Sequence, residues 1–365
     1  MNEDLLKQLR NTRVKYMKHL ITPEEIREKI VATDQMGENV LESRKKITNI
    51  IHGGDKRVLG LVGPCSIHNV DSALEYAKKL NDLREEVKDT MYLAMRVYPE
   101  KPRTTIGWEG LIPEPDMDGH ANYNKGLTLT RQLMCDISAM GLPITMEILG
   151  DRSIQYYDEL LSHGSIGART VESMPQRKVC TLLSMPLGLK NSTEGNIDIA
   201  VDAVETIIHG TQVPGMGDDG ALVEIGSYGN PDLHVVLRGG NGQPNYHQDK
   251  VAYAATQLKR RGLPYRLMVD CSHANSSKDH NKQPEVLCSV IDQIIEARER
   301  GEDSPLMGYM LESNIKEGKQ NLPKTRNSYT KSTLDPYQSI TDACISWDRT
   351  ESLIMEKHEK LAKLI

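Results

Sequence analysis

The chain has 365 residues, 38% of them hydrophobic and 26% charged, and a formal net charge of −6. This balance excludes a disordered chain and gives no general attraction for nucleic acid, although a mildly acidic protein can still hold a local cationic pocket. No apolar run approaches a membrane span, and the charged N-terminus MNEDLLKQLRNTRVKYMKHL lacks the apolar core and cleavage site of a signal peptide, so a cytoplasmic protein with no membrane or nucleic-acid partner is expected.

Six cysteines are scattered without framework spacing and read as free thiols. Phe is absent while Tyr stands at 14, so the core must rely on Leu, Ile, Met and Tyr. Residues 1–57 read as a helical N-terminal extension with an oligomeric or regulatory part to play. In it Thr22, Pro23 and Glu25 compose a capping box, and a second helix near 38–52 stops at Gly53-Gly54. From residue 58 a short apolar run, a polar turn and an amphipathic helix recur.

The runs are VLGLVGPC (58–65), MYLAMRVY (91–98), LPITMEIL (142–149), SIGART (165–170), MPLGLK (185–190), LHVVLRGG (233–240), YRLMVDCSH (265–273) and LMGYMLES (306–313). Helices such as 71–87 and 284–301 fall between them. Eight strand–helix units over about 300 residues predict an α/β protein whose catalytic domain, 58–365, is a (β/α)8 barrel. An open doubly wound sheet is the alternative, but GPCSIHN is no dinucleotide loop. Residues 211–232 read as an inserted β-hairpin, and 316–340 as a long surface loop.

The runs end alike. Cys65 closes the first, Arg96 the second with Lys101 and Arg103 just beyond, Glu147 the third, Arg169 the fourth and Lys190 the fifth. Arg238 closes the sixth, Asp270 and His273 the seventh, and Glu312 the eighth. The C-terminal strand ends of a barrel share one mouth, so six cations meet there, which makes sense only if anions fill the space. The bland alternative is that each cation pairs with a neighbouring acid. Cys65 alone is ambiguous, since a Cys beside a strand is usually packing. Placed next to His273, Glu312 and Asp342 it completes a donor set suited to one divalent ion, Mn²⁺, Fe²⁺, Co²⁺ or Zn²⁺. His68 reads as loop structure or as a support behind the metal ligands, and strand alternation turns Cys271 and Cys344 to the opposite face.

GPCSIHN, MRVYPEKPRTTIGW, GARTVES, LKNSTEG, LRGGNGQPNY, DCSHANSSK, ESNIKEG and SITDACISW together resemble the class I 3-deoxy-D-arabino-heptulosonate 7-phosphate (DAHP) synthases of the aromatic-feedback-regulated microbial type, in order and over nearly the whole chain. The resemblance implies condensation of phosphoenolpyruvate with erythrose 4-phosphate at a divalent metal, opening the shikimate pathway. It implies metal ligation by Cys65, His273, Glu312 and Asp342. Phosphoenolpyruvate would be held by Arg96, Lys101, Glu147, Arg169 with Ala168 beside it, Lys190 and Arg238, and the aldose phosphate met by Lys101, Pro102, Arg103 and Thr104. An aromatic amino acid effector and a homodimer or homotetramer are implied too. Chemistry assigns Glu147 to orient the attacking water and Lys101 to protonate the new alkoxide, with Cys65 and His273 at the metal.

The chain departs from the family pattern at Pro99, at Glu109 in GWEG, at Pro113-Glu114, at Gly150 and in TVESMPQRK. Glu109 places a negative charge where the family usually has Lys, and the expectation is either a weaker field for anions or a side chain that points to solvent or pairs with Lys101 or Arg103. Three other functions stay open: a sister synthase with another aldose phosphate, a class I aldolase with a Schiff base on Lys190, and a non-catalytic ligand-binding paralogue.

Overall fold

Seven of the eight apolar runs become strands within their predicted limits, and the eighth is shifted. The computed structural model describes residues 1–103, 107–149, 153–322 and 333–364. The barrel strands are β1 (Val58–Gly63), β2 (Met91–Arg96), β3 (Ile144–Glu147), β4 (His163–Ile166), β5 (Leu187–Lys190), β8 (Leu233–Leu237), β9 (Leu267–Asp270) and β10 (Leu306–Glu312). They pair in parallel in the order β1-β10-β9-β8-β5-β4-β3-β2, and β1 closes on β2. β6 (Gln212–Met216) and β7 (Leu222–Gly226) form the antiparallel hairpin expected within 211–232.

β4 departs from its predicted span of 165–170. It starts at His163 and ends at Ile166, so Gly167, Ala168 and Arg169 already belong to the loop. A histidine at the start of a fully buried strand carries no apolar signal, and the apolar count therefore slid toward the loop.

Alternation along the strands sorts side chains into two cores. Val58, Val62, Leu93, Met95, Ile144, Leu187, Leu189, Val235, Val269 and Leu311 join the shell between sheet and helices. Leu59, Leu61, Tyr92, Ala94, Val236, Met268 and Met310 fill the barrel interior. That interior cluster also contains Ile47, Ile50 and Ile51 of α3 (Asp34–Ile51), so the helix closes one end of the barrel. Burying three isoleucines there stabilises the closure by roughly 1.5–3 kcal/mol each.

The helices that follow the strands are α4 (Val70–Glu86), α5 (Tyr123–Ala139), α6 (Met174–Cys180), α7 (Asp198–Ile207), α8 (Gln248–Arg260), α9 (Gln283–Glu299) and, after the last strand, α10 (Trp347–Ala362). The extension is less helical than expected. α1 (Glu3–Leu9) and α2 (Pro23–Lys29) are separated by residues without helix, exposed through His19 and Leu20. The capping box of α2 is present: Glu25 N–H donates to Thr22 Oγ1 at 3.1 Å and Thr22 N–H to Glu25 Oε2 at 2.8 Å. In the predicted 316–340 loop, Gly318 pairs with Cys344 and Lys319 with Ser339. No helix among the described residues is long and apolar enough to cross a membrane.

Candidate functional site

Period two brings the inward face of five of the eight strands to a charged end. Tyr92 and Ala94 precede Arg96, Thr145 precedes Glu147, Gly188 precedes Lys190, Met268 precedes Asp270 and Met310 precedes Glu312. On these five strands the same parity that fills the interior delivers one ionic group each to the C-terminal end of the barrel. There an inner cavity of about 210 Å³ is lined by Arg96, Tyr98, Lys101, Pro102, Arg103, Glu147, Arg169, Lys190, His273, Glu312, Thr341 and Asp342. A larger outer chamber of about 570 Å³ shares Arg169, His273, Glu312 and Asp342 with it and adds Arg238, Lys278 and Lys319. Thr104 lies outside the described residues, and Ala168 lines neither chamber among them.

Some cations pair and others do not. Arg96 Nη2 donates to Glu312 Oε1 at 3.1 Å, Lys190 Nζ to Asp270 Oδ2 at 2.9 Å, and Lys101 Nζ to the Cys65 carbonyl at 2.9 Å and its Sγ at 3.3 Å. Arg103, Arg169 and Arg238 make no ion pair among the described residues. The bland alternative therefore holds for two of the six cations only, Arg96 and Lys190. Five cations against three carboxylates line the inner cavity. Arg96 Nε is buried without a hydrogen-bond partner, an orphan donor that an anion would satisfy.

The ionic states follow from burial and neighbours. Burial lowers the Arg238 guanidinium below its usual range, with Arg169 adding repulsion. For Arg96 burial pulls down, but Tyr98, Glu312 and Asp270 outweigh it and the group stays charged. For Lys101 burial is outweighed by Cys65, Glu312 and Glu147. Burial raises Asp342, yet Lys101, His273 and Lys319 hold it below the ordinary carboxylate value. The Cys65 thiol is pushed up to about 11, first by burial and then by the charge of Glu312.

Cys65, Glu312 and Asp342 each present a donor atom within 4.8 Å of the others, and Cys65 Sγ lies 3.8 Å from Asp342 Oδ2. His273 lines both chambers, but its ring does not join this tight trio. Its Nδ1 lies 3.0 Å from Asp270 Oδ2, the anchoring found behind metal-binding histidines. The donor set fits a divalent ion. A thiol and two carboxylates repel as anions, and a dication reverses that balance and favours the thiolate.

Reasoning from sequence missed Tyr98. It is buried, the Arg96 guanidinium lies over its ring at 4.1 Å and Lys101 Nζ lies 5.6 Å from the ring centre. Its signal was available, since Tyr98 follows Arg96 by two. Asp270 was seen as a strand end without a role. Cys271 packs in the outer core as expected. Cys344, expected on the opposite face, instead lies against the Cys65 backbone, because it sits in a loop where alternation does not apply. His68 Nε2 lies 3.4 Å from the Asp335 carbonyl, which agrees with a structural reading. Glu109 lines neither chamber, and its charge is felt at Tyr123.

A closed parallel barrel with a cation-lined mouth and a cluster of metal-type donors is the architecture of a (β/α)8 enzyme. Residues 29–355 match the model of the DAHP synthetase I family. The chain is 42% identical over 353 residues to the Tyr-sensitive phospho-2-dehydro-3-deoxyheptonate aldolase of Escherichia coli strain K12, covering 97% of this chain and 96% of the relative. It is 42% identical over 345 residues to the Phe-sensitive enzyme of the same organism, covering 94% and 95%. The solved structure of phospho-2-dehydro-3-deoxyheptonate aldolase from Francisella tularensis SCHU S4 superposes with a TM-score of 0.89 at 40% identity, over 96% of this chain and 98% of that one. The chain belongs to the DAHP synthetase I family.

Proposed function

We propose that the chain condenses phosphoenolpyruvate with erythrose 4-phosphate at one divalent ion held by Cys65, His273, Glu312 and Asp342. The observation that carries this reading is the cavity itself: unpaired Arg103, Arg169 and Arg238 and the orphan Arg96 Nε surround a space beside the donor trio. Phosphoenolpyruvate carries a phosphate and a carboxylate, so it needs several fixed cations at once. Arg96, Lys101, Arg169, Lys190 and Arg238 supply them. Arg103, with Lys101, Pro102 and Thr104, is assigned to the aldose phosphate.

The enol carbon bonds to the aldehyde carbon, water adds to the resulting cationic centre, and phosphate leaves with cleavage of its C–O bond. When bound, the ion supplies Lewis acidity toward the aldehyde. Lys101, kept protonated by its acidic neighbours, is placed to give a proton to the new alkoxide. Glu147, on the same wall, is placed to orient the water. The names of the two Escherichia coli relatives support an aromatic amino acid as effector. Exposed Leu5, Leu6, Leu9, Val14 and Met17 support a homo-oligomer. Two phosphorylated substrates, which do not cross membranes unaided, support a cytoplasmic site of action.

The test is phosphate release with both substrates, each substrate omitted in turn, with metal and with chelator. Release that needs both substrates and is abolished by chelator is the expected result. Binding of phosphoenolpyruvate without turnover points to a non-catalytic paralogue. Trapping by borohydride at Lys190 points to a Schiff-base aldolase.

A further inference from the structure

We propose that Asp270 is a positioning residue that joins the two halves of the site. It holds the Lys190 ammonium on the side of the enol phosphate and the His273 ring on the side of the metal, so that occupancy of either half strengthens the other. The inference rests on the function proposed above.

Asp270 is fully buried. Its Oδ1 accepts from the Ser272 N–H at 3.0 Å and from the Ser272 hydroxyl at 2.7 Å. Its Oδ2 accepts from Lys190 Nζ at 2.9 Å and faces His273 Nδ1 at 3.0 Å. A carboxylate has about four lone-pair sites; three accept hydrogen bonds and the fourth faces the His273 ring. The Ser272 hydroxyl spends its proton on Asp270 and lies 2.8 Å from His273 Nδ1, so it can only accept there. Both neighbours of Nδ1 are acceptors. The proton therefore sits on Nδ1, and Nε2 keeps a lone pair for a cation.

The backbone is built to keep this arrangement. His273 lies in the left-handed region at φ 57°, uncommon for a residue with a side chain. It is held there by the Lys278 N–H, which donates to its carbonyl at 2.7 Å. Asn275 Nδ2 bridges the carbonyls of Asp270 and Leu237 at 2.9 and 3.0 Å, tying the loop to two strands.

Because Lys190 and His273 share Oδ2, they compete for its charge. A substrate anion that meets Lys190 draws the ammonium's field away from Asp270. The carboxylate then bears more fully on His273 and makes Nε2 a stronger donor. The coupling is reciprocal by necessity. Direct attraction between metal and substrate has the same sign, so the decisive experiment leaves the substrate out.

Metal-free protein is titrated with Co²⁺ alone against a competing chelator, at fixed pH, and the thiolate-to-cobalt absorption is followed. Asp270→Asn should bind Co²⁺ about 10–100-fold more weakly, the range seen when a ligand's supporting carboxylate is lost. Ser272→Ala should weaken it several-fold. Lys190→Met should bind Co²⁺ several-fold more tightly, because Asp270 then serves His273 alone. A general loss of packing would weaken all three, so the opposite sign at Lys190 separates positioning from scaffolding. Lys190→Met with unchanged or weaker Co²⁺ binding overturns the proposal, as does Asp270→Asn with unchanged binding. If Asp270→Asn does not fold, Ser272→Ala and Lys190→Met decide by the same signs. Wild-type protein that takes up no Co²⁺ overturns the proposal and the assigned function together. Wild-type protein active with Co²⁺, beside variants with the wrong signs, overturns this inference alone.

Discussion

A Cβ built on Gly167 would lie 2.0 Å from Glu147 Oε1. Gly167 does not need a left-handed backbone, so Ala fits the chain there, and the cost falls on the flexible end of Glu147. Gly167→Ala should therefore leave thermal stability within a few degrees and lower kcat about 10–100-fold, since an ångström of misplacement at a reacting group can cost that much. Unchanged turnover would remove Glu147 from the assigned chemistry. Glu109 is a contrasting residue. Of the two readings the family pattern left for its charge, the structure favours the outward one, since it is exposed and lines neither chamber. Glu109→Lys should change the KM of either substrate less than twofold, at low and at high salt, whereas a salt-sensitive gain would restore the view of a weakened field. Position relative to a strand end was legible in the sequence. The direction of a side chain in the loop beyond it was not, because no periodicity governs a loop.

Elements transmit such constraints to the site. Gly126 of α5 has its missing Cβ only 1.9 Å from the Ile112 carbonyl oxygen, a backbone atom that cannot rotate aside. The turn carrying Ile112 is braced by Trp108 Nε1 donating to the Glu114 carbonyl at 3.0 Å and by the Ile112 N–H donating to the Pro99 carbonyl at 3.2 Å. It also accepts the Lys101 N–H through the Glu109 carbonyl at 2.9 Å. Helix propensity alone favours Gly126→Ala by about 1 kcal/mol. Overpacking against backbone outweighs that, and the variant should lose roughly 1–3 kcal/mol in denaturant unfolding while raising the KM for phosphoenolpyruvate through Lys101. A stabilised variant would mean that propensity wins and the turn yields. The strands and the hairpin were legible because apolar runs and turn residues mark them. The start of β4 was not, because buried His163 reads as polar until its partners are known.

At the scale of the whole molecule the barrel has, besides its ionic strand ends, a pair of histidines buried in its interior. Thr145 Oγ1 lies 2.7 Å from His163 Nδ1, and His163 Nε2 lies 2.9 Å from His234 Nε2, so one proton is shared between two fully buried rings on β4 and β8. The strand pattern foretold the barrel but gave no sign that these two histidines meet, since β4 and β8 are separated by a whole strand in the sheet and by 71 residues in the chain. Burial lowers both rings, His234 to about 4 and His163 further below its ordinary value with the help of its neighbour. An unfolded histidine titrates near 6.5. Between these values the unfolded chain takes up protons that the folded barrel refuses, so stability is complete above about pH 6.5 and is lost as the pH falls toward 4. For His234 alone the loss at pH 5 is on the order of 2 kcal/mol. His234→Gln keeps an amide that can hydrogen-bond His163 and removes one titrating ring. Thermal unfolding at pH 7.5 and pH 5.0 should show a smaller drop for the variant than for the wild type, even if the variant starts lower. Equal drops would place the acid sensitivity of the fold in its paired carboxylates, such as Asp55 on Arg57 and Asp303 on Arg266 and Lys56, which also lose their charge as the pH falls.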